Sequence, residues 1–203
     1  MPVWALAAVL LLAAACASPP RESDSPKSAP ARARDFRSTE LRQPAVFVRV
    51  TLATPGAFSD RDRSTLPVAY EGALLEGLNA RAVLPRDAQL VTEGKLDARV
   101  ALARAREVGA DHAVLVDVQV ERGEPIFCRE GRRPFRTAAE TWAQTLQVLR
   151  VSDGSTRLAL AGGMLDMTDL EPDCDNPRAS QRRSREETLT ESVNRLLTRL
   201  LGS

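Results

Sequence analysis

The chain has little of the residue types that metal and nucleic-acid sites require. Its 203 residues include one histidine and three cysteines, so the common four-ligand zinc site cannot be built without carboxylates. Aromatic residues make up only 4% of the chain, which excludes an extended stacking platform for bases. The formal net charge of +1 gives no long-range attraction to nucleic acid. We therefore expect no metal, no cofactor and no nucleic-acid partner.

Recognisable catalytic motifs are also missing. His112 begins a valine-rich segment, and no serine or cysteine pattern accompanies it as in a nucleophilic triad. A hydrolase using Asp111 or Asp117 would need two carboxylates with separated pKa values, and the sequence identifies no such pair. We expect a protein that is not an enzyme, with a hydrolase as the alternative.

The first 15 residues have the pattern of an export signal. Residues 3–15 are apolar throughout, a run shorter than the ~20 residues of a membrane-spanning helix but typical of a secretory signal. The ending Leu12-Ala13-Ala14-Ala15-Cys16 resembles the lipobox of bacterial lipoproteins. That resemblance implies cleavage before Cys16, a diacylglycerol on its thiol and a third, palmitate-like acyl chain on its amine. Leu12 lies four places before the cysteine, whereas the best lipoboxes have leucine three places before it.

The residue after Cys16 predicts which membrane holds the protein. Ala17 stands there instead of aspartate, and resemblance to enterobacterial sorting signals then implies the outer membrane. The folded part would face the periplasm, held by the acyl chains on Cys16. The alternative is an ordinary signal cut nearby, which would leave a soluble periplasmic protein.

Residues 17–44 have the composition of a tether. They contain three proline pairs with serine or alanine, charges of both signs, and only Phe36 and Leu41 as large apolar residues. Such a segment buries too little surface to offset the entropy of ordering it. We therefore predict a lipidated cysteine and a disordered Pro/Ser-rich tether over residues 16–44, then a single domain over residues 45–203. A docking peptide within the tether is the alternative.

The pattern of residues 45–203 predicts an α+β domain. Alternating apolar residues predict strands at 46–52, 112–121, 139–151 and 155–167, with an edge strand at 82–84 or 89–91. Helical spacing predicts helices at 66–79, 95–108 and 185–201. The order β-α-β-α-β-β-β-α predicts a mixed sheet of about five strands with helices mainly on one face. The first and third strands should be parallel.

Two helix starts carry specific signals. Pro67 favours the first turn of a helix, so Thr65 or Leu66 is the expected N-cap of the first one. Ser184 followed three residues later by Glu187 predicts a capping box at the start of the last helix.

One passage resembles a known group of envelope proteins. Ala105-Arg106-Glu107-Val108-Gly109-Ala110-Asp111-His112-Ala113-Val114-Leu115-Val116 resembles the helix-Gly-Ala-Asp-strand passage of three kinds of protein. These are the outer-membrane activators of penicillin-binding proteins, the curli secretion lipoprotein and the amino-terminal domain of the Tol-system propeller protein. The element order over residues 45–203 is similar too. The resemblance implies this fold and a binding or assembly role, with no catalytic residues.

Two cysteines are left once Cys16 is assigned to lipid. An exported chain meets an oxidising compartment, so Cys128 and Cys174 predict a disulfide. The meander of the last three strands places the loop with Cys128 and the segment with Cys174 at one edge of the sheet. Two free thiols or a redox pair are the alternative, although the C-x-x-C pattern is missing.

The same edge carries charges of both signs. The basic loop holds Arg129, Arg132, Arg133 and Arg136, and the acidic segment holds Asp166, Asp169, Glu171, Asp173 and Asp175. The arginines are candidates for binding an anionic glycan or a partner's carboxylate, and an exposed Trp142 would mark an interface. A core position is nevertheless expected for Trp142, and two solvated loops that neutralise each other are the alternative to a binding surface. A calcium loop would need glycine and glutamate at positions that the acidic segment lacks.

These patterns together predict a non-catalytic lipoprotein of the bacterial envelope. It would bind a protein partner or assemble a complex in cell-wall synthesis or secretion. A subunit of an oligomeric secretion pore and a soluble periplasmic binding protein are the alternatives.

Overall fold

The structure is a computed structural model that describes residues 31–33, 35–54, 56–128, 133–161, 163 and 165–202. The signal segment and Cys16 lie outside these residues. The strands within them are β1 (Ala31–Arg32), β2 (Ala45–Leu52), β3 (Asp87–Leu90), β4 (His112–Gly123), β5 (Ile126–Phe127), β6 (Phe135–Arg136), β7 (Ala139–Arg150), β8 (Thr156–Leu160), β9 (Met167–Thr168), β10 (Leu170–Glu171) and β11 (Gln181–Arg182). The helices are α1 (Asp60–Asn79), α2 (Ala98–Glu107) and α3 (Arg185–Leu201).

One mixed sheet of seven strands organises these elements. Its order is β1-β8-β7-β4-β2-β3, and β9 pairs with one end of β7. β2 is parallel to β3 and to β4, because a helix separates these strands along the chain. β4, β7 and β8 form the antiparallel meander. The predicted α+β class, the mixed sheet and the parallel pairing of the strands that begin near residues 46 and 112 are confirmed.

The helices cover the two faces of the sheet unequally. α1 and α3 pack on one face, where the even-numbered valines of β4 meet leucines such as Leu74 and Leu196. α2 covers one end of the opposite face, on a cluster that includes Phe47 and Leu115. From Asp117 onward this second face of β4 is polar, so α2 has apolar support only at the beginning of the strand.

α1 begins at Asp60, earlier than the predicted start at residue 66. The Ser59 N–H donates to Asp62 Oδ2 at 3.1 Å, and the Asp62 N–H donates to Ser59 Oγ at 3.1 Å. This capping box satisfies two backbone donors at the new start. Pro67 therefore lies inside the helix, where it lacks the N–H that would close a turn. Asp62 stands where capping boxes usually have glutamate or glutamine, so the sequence pattern did not predict this helix start.

α3 begins where the sequence predicts. The Ser184 N–H donates to Glu187 Oε2 at 2.7 Å, and the Glu187 N–H donates to Ser184 Oγ at 3.2 Å. The predicted capping box and the bounds Arg185–Leu201 are confirmed.

Residues 31–43 pack on the domain, and we name them the strap; Arg34 within it is not described. Ala31 pairs with Ala159 of β8, while Phe36 and Leu41 are 4% and 2% exposed in the core. The predicted boundary at residue 45 is therefore corrected, since the domain includes the strap. Only two large apolar residues occur in this stretch, and both enter the core. Residues 17–30 of the predicted tether lie outside the described residues.

Candidate functional site

A disulfide joins two loops at one edge of the sheet. Cys128 and Cys174 are bonded, with their Cα atoms 5.7 Å apart. A small apolar cluster built on Phe127, Ala139 and Leu170 lies beside it. The structure therefore places the loop after β4 and the segment after β10 together, at the edge where the sequence placed them.

Two of the four arginines of the predicted basic loop lie in the described part of the chain. Arg129 and Arg132 lie outside the described residues. Arg133 is exposed, and Arg136 in β6 donates Nη1 to the carbonyl oxygen of Glu124 at 3.4 Å.

The acidic segment uses its carboxylates in two ways. Asp169 pairs with Arg182, and Glu171 pairs with Arg183 at 3.0 Å. Asp173 and Asp166 instead accept backbone N–H groups within their own turns. Two of the predicted acidic residues are thus held by arginines of a segment that the sequence analysis did not single out.

Trp142 is not an interface residue. Its side chain is fully buried, its ring stacks on Tyr70 with centroids 6.3 Å apart, and its Nε1 donates to Glu140 Oε1 at 3.1 Å. The core position expected for Trp142 is confirmed, and its candidate role in binding a partner is wrong, because its position in β7 faces α1 and α3.

The other chemistry-bearing residues of the sequence analysis are held in structural contacts. Asp117 accepts two hydrogen bonds from Arg49, at 2.9 and 2.7 Å, which tie β4 to β2. His112 is buried and packs edge-on against Phe36 of the strap. Its Nδ1 lies 3.3 Å from Asp111 Oδ1 without forming a hydrogen bond. Within the described residues, no group of three potential metal ligands occurs.

Four arginines that the sequence analysis missed line a pocket next to the disulfide-linked edge, and we name it the arginine pocket. They are Arg122 at the end of β4, Arg182 in β11, Arg183 after it and Arg185 at the start of α3. Glu140, Asp169, Gly123, Ala138 and Ala139 complete the lining of a cavity of about 440 Å³. The sequence signal was the run Arg182-Arg183-Ser184-Arg185. Arg122 is far from this run in sequence, and the β4–β7 register places it opposite Glu140.

Glu140 is the buried centre of this pocket. Its side chain is 7% exposed and accepts from Arg122 Nε at 3.3 Å and from Arg185 Nη2 at 3.2 Å, besides the indole of Trp142. A buried carboxylate is costly unless donors compensate it. Glu140 therefore holds Arg122 and Arg185 in fixed positions.

Each pocket arginine has at least one contact with a group other than the Glu140 carboxylate. These contacts are Arg122 with the Ala57 carbonyl, Arg182 with Asp169 and the Ala138 carbonyl, Arg183 with Glu171, and Arg185 with Asp62. Burial lowers the pKa of Arg185, but the neighbouring Glu140 and Asp62 outweigh burial and raise it overall. Hydrogen bonds from Ser59, and then the Arg185 guanidinium, lower the pKa of Asp62. The guanidiniums are thus charged and positioned before any ligand arrives.

Comparisons with known proteins give distant structural similarities. No protein-family model and no curated protein matches the chain. Among solved structures, the PelC dodecamer from Paraburkholderia phytofirmans is 14% identical, with a TM-score of 0.45, over 86% of this chain and 96% of that one. A lipoprotein from Neisseria meningitidis is 10% identical, with a TM-score of 0.37, over 79% of this chain and 100% of that one. We transfer no partner or activity from either.

Among the described helices, none combines the length and the apolar character that a membrane crossing needs.

Proposed function

We propose that this chain is a non-catalytic lipoprotein of the bacterial envelope whose α+β domain binds a protein partner in cell-wall synthesis or secretion. The observation that carries the proposal is the Cys128–Cys174 bond. Disulfides between distant cysteines form and persist in oxidising compartments, so the bond supports export. Cys16, the third cysteine, then stands directly after the apolar leader, where a lipid anchor would be attached.

The strap limits how far the domain can stand from an anchor at Cys16. Residues 17–30 separate that cysteine from Ala31, the first residue of β1. A fully extended chain covers at most ~3.3–3.6 Å per residue, so Ala31 lies within about 50 Å of the lipidated cysteine. The domain is therefore held close to the membrane surface, where an envelope partner would meet it.

The disulfide-linked edge with the arginine pocket is the contact surface that we propose. The pocket arginines are between 34% and 49% exposed, so a partner can reach them. Arginine is enriched at the centres of protein interfaces because its planar fork binds carboxylates with defined geometry.

Membrane fractionation of cells that produce the full chain tests the anchor. We expect the wild-type protein in the outer-membrane fraction, and a Cys16→Ala variant outside it. A Cys128→Ser/Cys174→Ser variant is the matched control, because it also loses thiols but keeps Cys16. Equal distribution of the wild type and the Cys16→Ala variant would contradict a lipid anchor.

Capture of partners from detergent-solubilised membranes tests the binding role. The bait is the full chain, and the control bait has residues 17–30 in scrambled order, which leaves the domain intact. We expect the same envelope proteins with both baits, because the domain carries the surface. Recovery of no protein above a bait-free control would overturn the binding role, and recovery that depends on the order of residues 17–30 would assign it to a docking peptide.

A further inference from the structure

We propose that the arginine pocket binds a phosphoryl group. The pocket is part of the contact surface proposed above, but binding of this ligand requires neither the anchor at Cys16 nor a protein partner. The observation that carries it is that four arginines, at the end of β4, in and just after β11 and at the start of α3, line one cavity of about 440 Å³.

The cavity lining holds more arginines than carboxylates. Four arginines and two carboxylates, Glu140 and Asp169, line it, so the formal charge of the lining is 4 − 2 = +2. The other carboxylates that pair with pocket arginines are Asp62 and Glu171, and neither belongs to the lining. Each of the four arginines thus pairs with one of four carboxylates, so a phosphoryl group would be recognised through guanidinium N–H groups and not through a net charge.

The arginines keep donors for a ligand. A guanidinium has five N–H donors. The hydrogen bonds described above engage two nitrogens each in Arg122, Arg182 and Arg185, and one nitrogen in Arg183. Phosphate oxygens match the remaining N–H groups because the fork binds two oxygens at once.

The guanidiniums are held in place before binding. Glu140 fixes Arg122 and Arg185 from the buried side, and Asp169 with the Ala138 carbonyl fixes Arg182. A site whose side chains are already ordered loses less entropy when a ligand binds. The small residues Gly123, Ala138 and Ala139 also line the cavity.

Calorimetric titration of the detergent-solubilised full chain with inorganic phosphate, at constant ionic strength set with chloride, tests the site. We expect saturable binding to one site, which Arg182→Ala/Arg183→Ala weakens at least about tenfold. The matched control is Arg99→Ala/Arg106→Ala, which removes two exposed arginines of α2 on the opposite face of the sheet and should bind like the wild type. No saturable binding, or equal affinity in both double variants, would overturn the proposal.

A second variant guards against a folding defect in the first. Arg183→Glu changes the charge of the pocket by −2 without altering a residue that contacts Glu140, since Arg183 pairs with the exposed Glu171. We expect this variant to unfold at the wild-type temperature and to lose phosphate binding. Wild-type phosphate affinity in Arg183→Glu would contradict the site.

The same titration distinguishes a lipid headgroup from a soluble phosphoryl compound. It is repeated in micelles doped with phosphatidylglycerol and in micelles doped with phosphatidylcholine. Lower apparent phosphate affinity with phosphatidylglycerol alone supports the pocket with an anionic headgroup as the ligand. Equal affinity in both micelles supports the pocket with a soluble phosphoryl ligand. The anchor and the pocket are tested separately. Cys16→Ala should lose membrane localisation and still bind phosphate, because the pocket does not require the anchor.

Discussion

The Tyr70 hydroxyl donates to Gln144 Oε1 at 2.6 Å inside the core between α1 and β7. Gln144 in turn donates its Nε2 to the carbonyl oxygen of Leu165 at 3.0 Å. Tyr70→Phe leaves the amide oxygen buried without this donor, so we expect the free energy of unfolding to fall by about 1–3 kcal/mol. Urea denaturation measures it. A fall of less than about 0.5 kcal/mol would show that the hydrogen bond does not contribute to stability.

Burial of Tyr70 makes stability depend on alkaline pH. Burial raises the pKa of Tyr70 above its ordinary value of 10.0, and a weaker hydrogen-bond effect from Ser192 lowers it. The folded state therefore keeps its proton where the unfolded state releases it, so the stabilisation is complete below about pH 10 and is lost as the pH rises further. We expect the unfolding free energy of the wild type to fall more steeply above pH 10 than that of Tyr70→Phe. Parallel curves for the two proteins would contradict this.

Alanine at two glycine positions of α1 should change the stability of the domain in opposite directions. A β-carbon on Gly77 would overlap Leu197 Cδ1 of α3, and Leu197 is fully buried, so Gly77→Ala should cost about 1–3 kcal/mol through overpacking. Gly72 faces open space, so Gly72→Ala should stabilise by about 0.5–1 kcal/mol through helix propensity. Thermal unfolding of both variants checks the sign. Stabilisation by both substitutions would mean that α1 and α3 do not meet at Gly77.

The strap should contribute to the stability of the domain. Phe36 is 4% exposed and packs against His112, so Phe36→Ala should lower the free energy of unfolding by about 3–5 kcal/mol. Arg37→Ala, at the exposed neighbouring position, is the matched control and should change it by less than about 0.5 kcal/mol. If the two variants unfold alike, residues 31–43 belong to a tether, as the composition first indicated.

The disulfide should stabilise the domain as well as mark its compartment. It closes a loop with a sequence separation of 46 residues, and the chain-entropy relation gives about 4 kcal/mol as an upper value for such a loop. We expect Cys128→Ser/Cys174→Ser to unfold at lower urea concentration than the wild type, and reduction of the wild type to have the same effect. Reductant should leave the double variant unchanged. No difference between reduced and oxidised wild type would contradict the bond.

Local signals in the sequence predicted much of this fold. The alternating valines of β4 and the Ser184–Glu187 capping box depend only on residues close together in sequence. The structure has both the strand and the capped helix. The strap was missed because its two apolar residues are too few to outweigh the surrounding prolines and charges. Burial of Phe36 depends on a pocket that distant segments build.

The site was harder to predict than the fold for the same reason. Arg122 and Arg182 are far apart in sequence. The β4–β7 register places Arg122 opposite Glu140, while Arg182 donates to Asp169 and to the Ala138 carbonyl just before the start of β7. The sequence showed two charged loops and the cysteines that link them. It did not show which arginines would meet the carboxylates, because that depends on strand pairs of two residues with no periodic signal.

Mass spectrometry of the mature amino terminus tests the proposed lipid anchor most directly. Trypsin digestion of the detergent-extracted protein should release residues 16–21 as the first peptide, with a diacylglycerol on the Cys16 thiol and an acyl chain on its amine. The Cys16→Ala protein should yield no lipid-bearing peptide. An unmodified peptide that begins at or before Cys16, or a mature terminus beyond it, would contradict the lipid anchor.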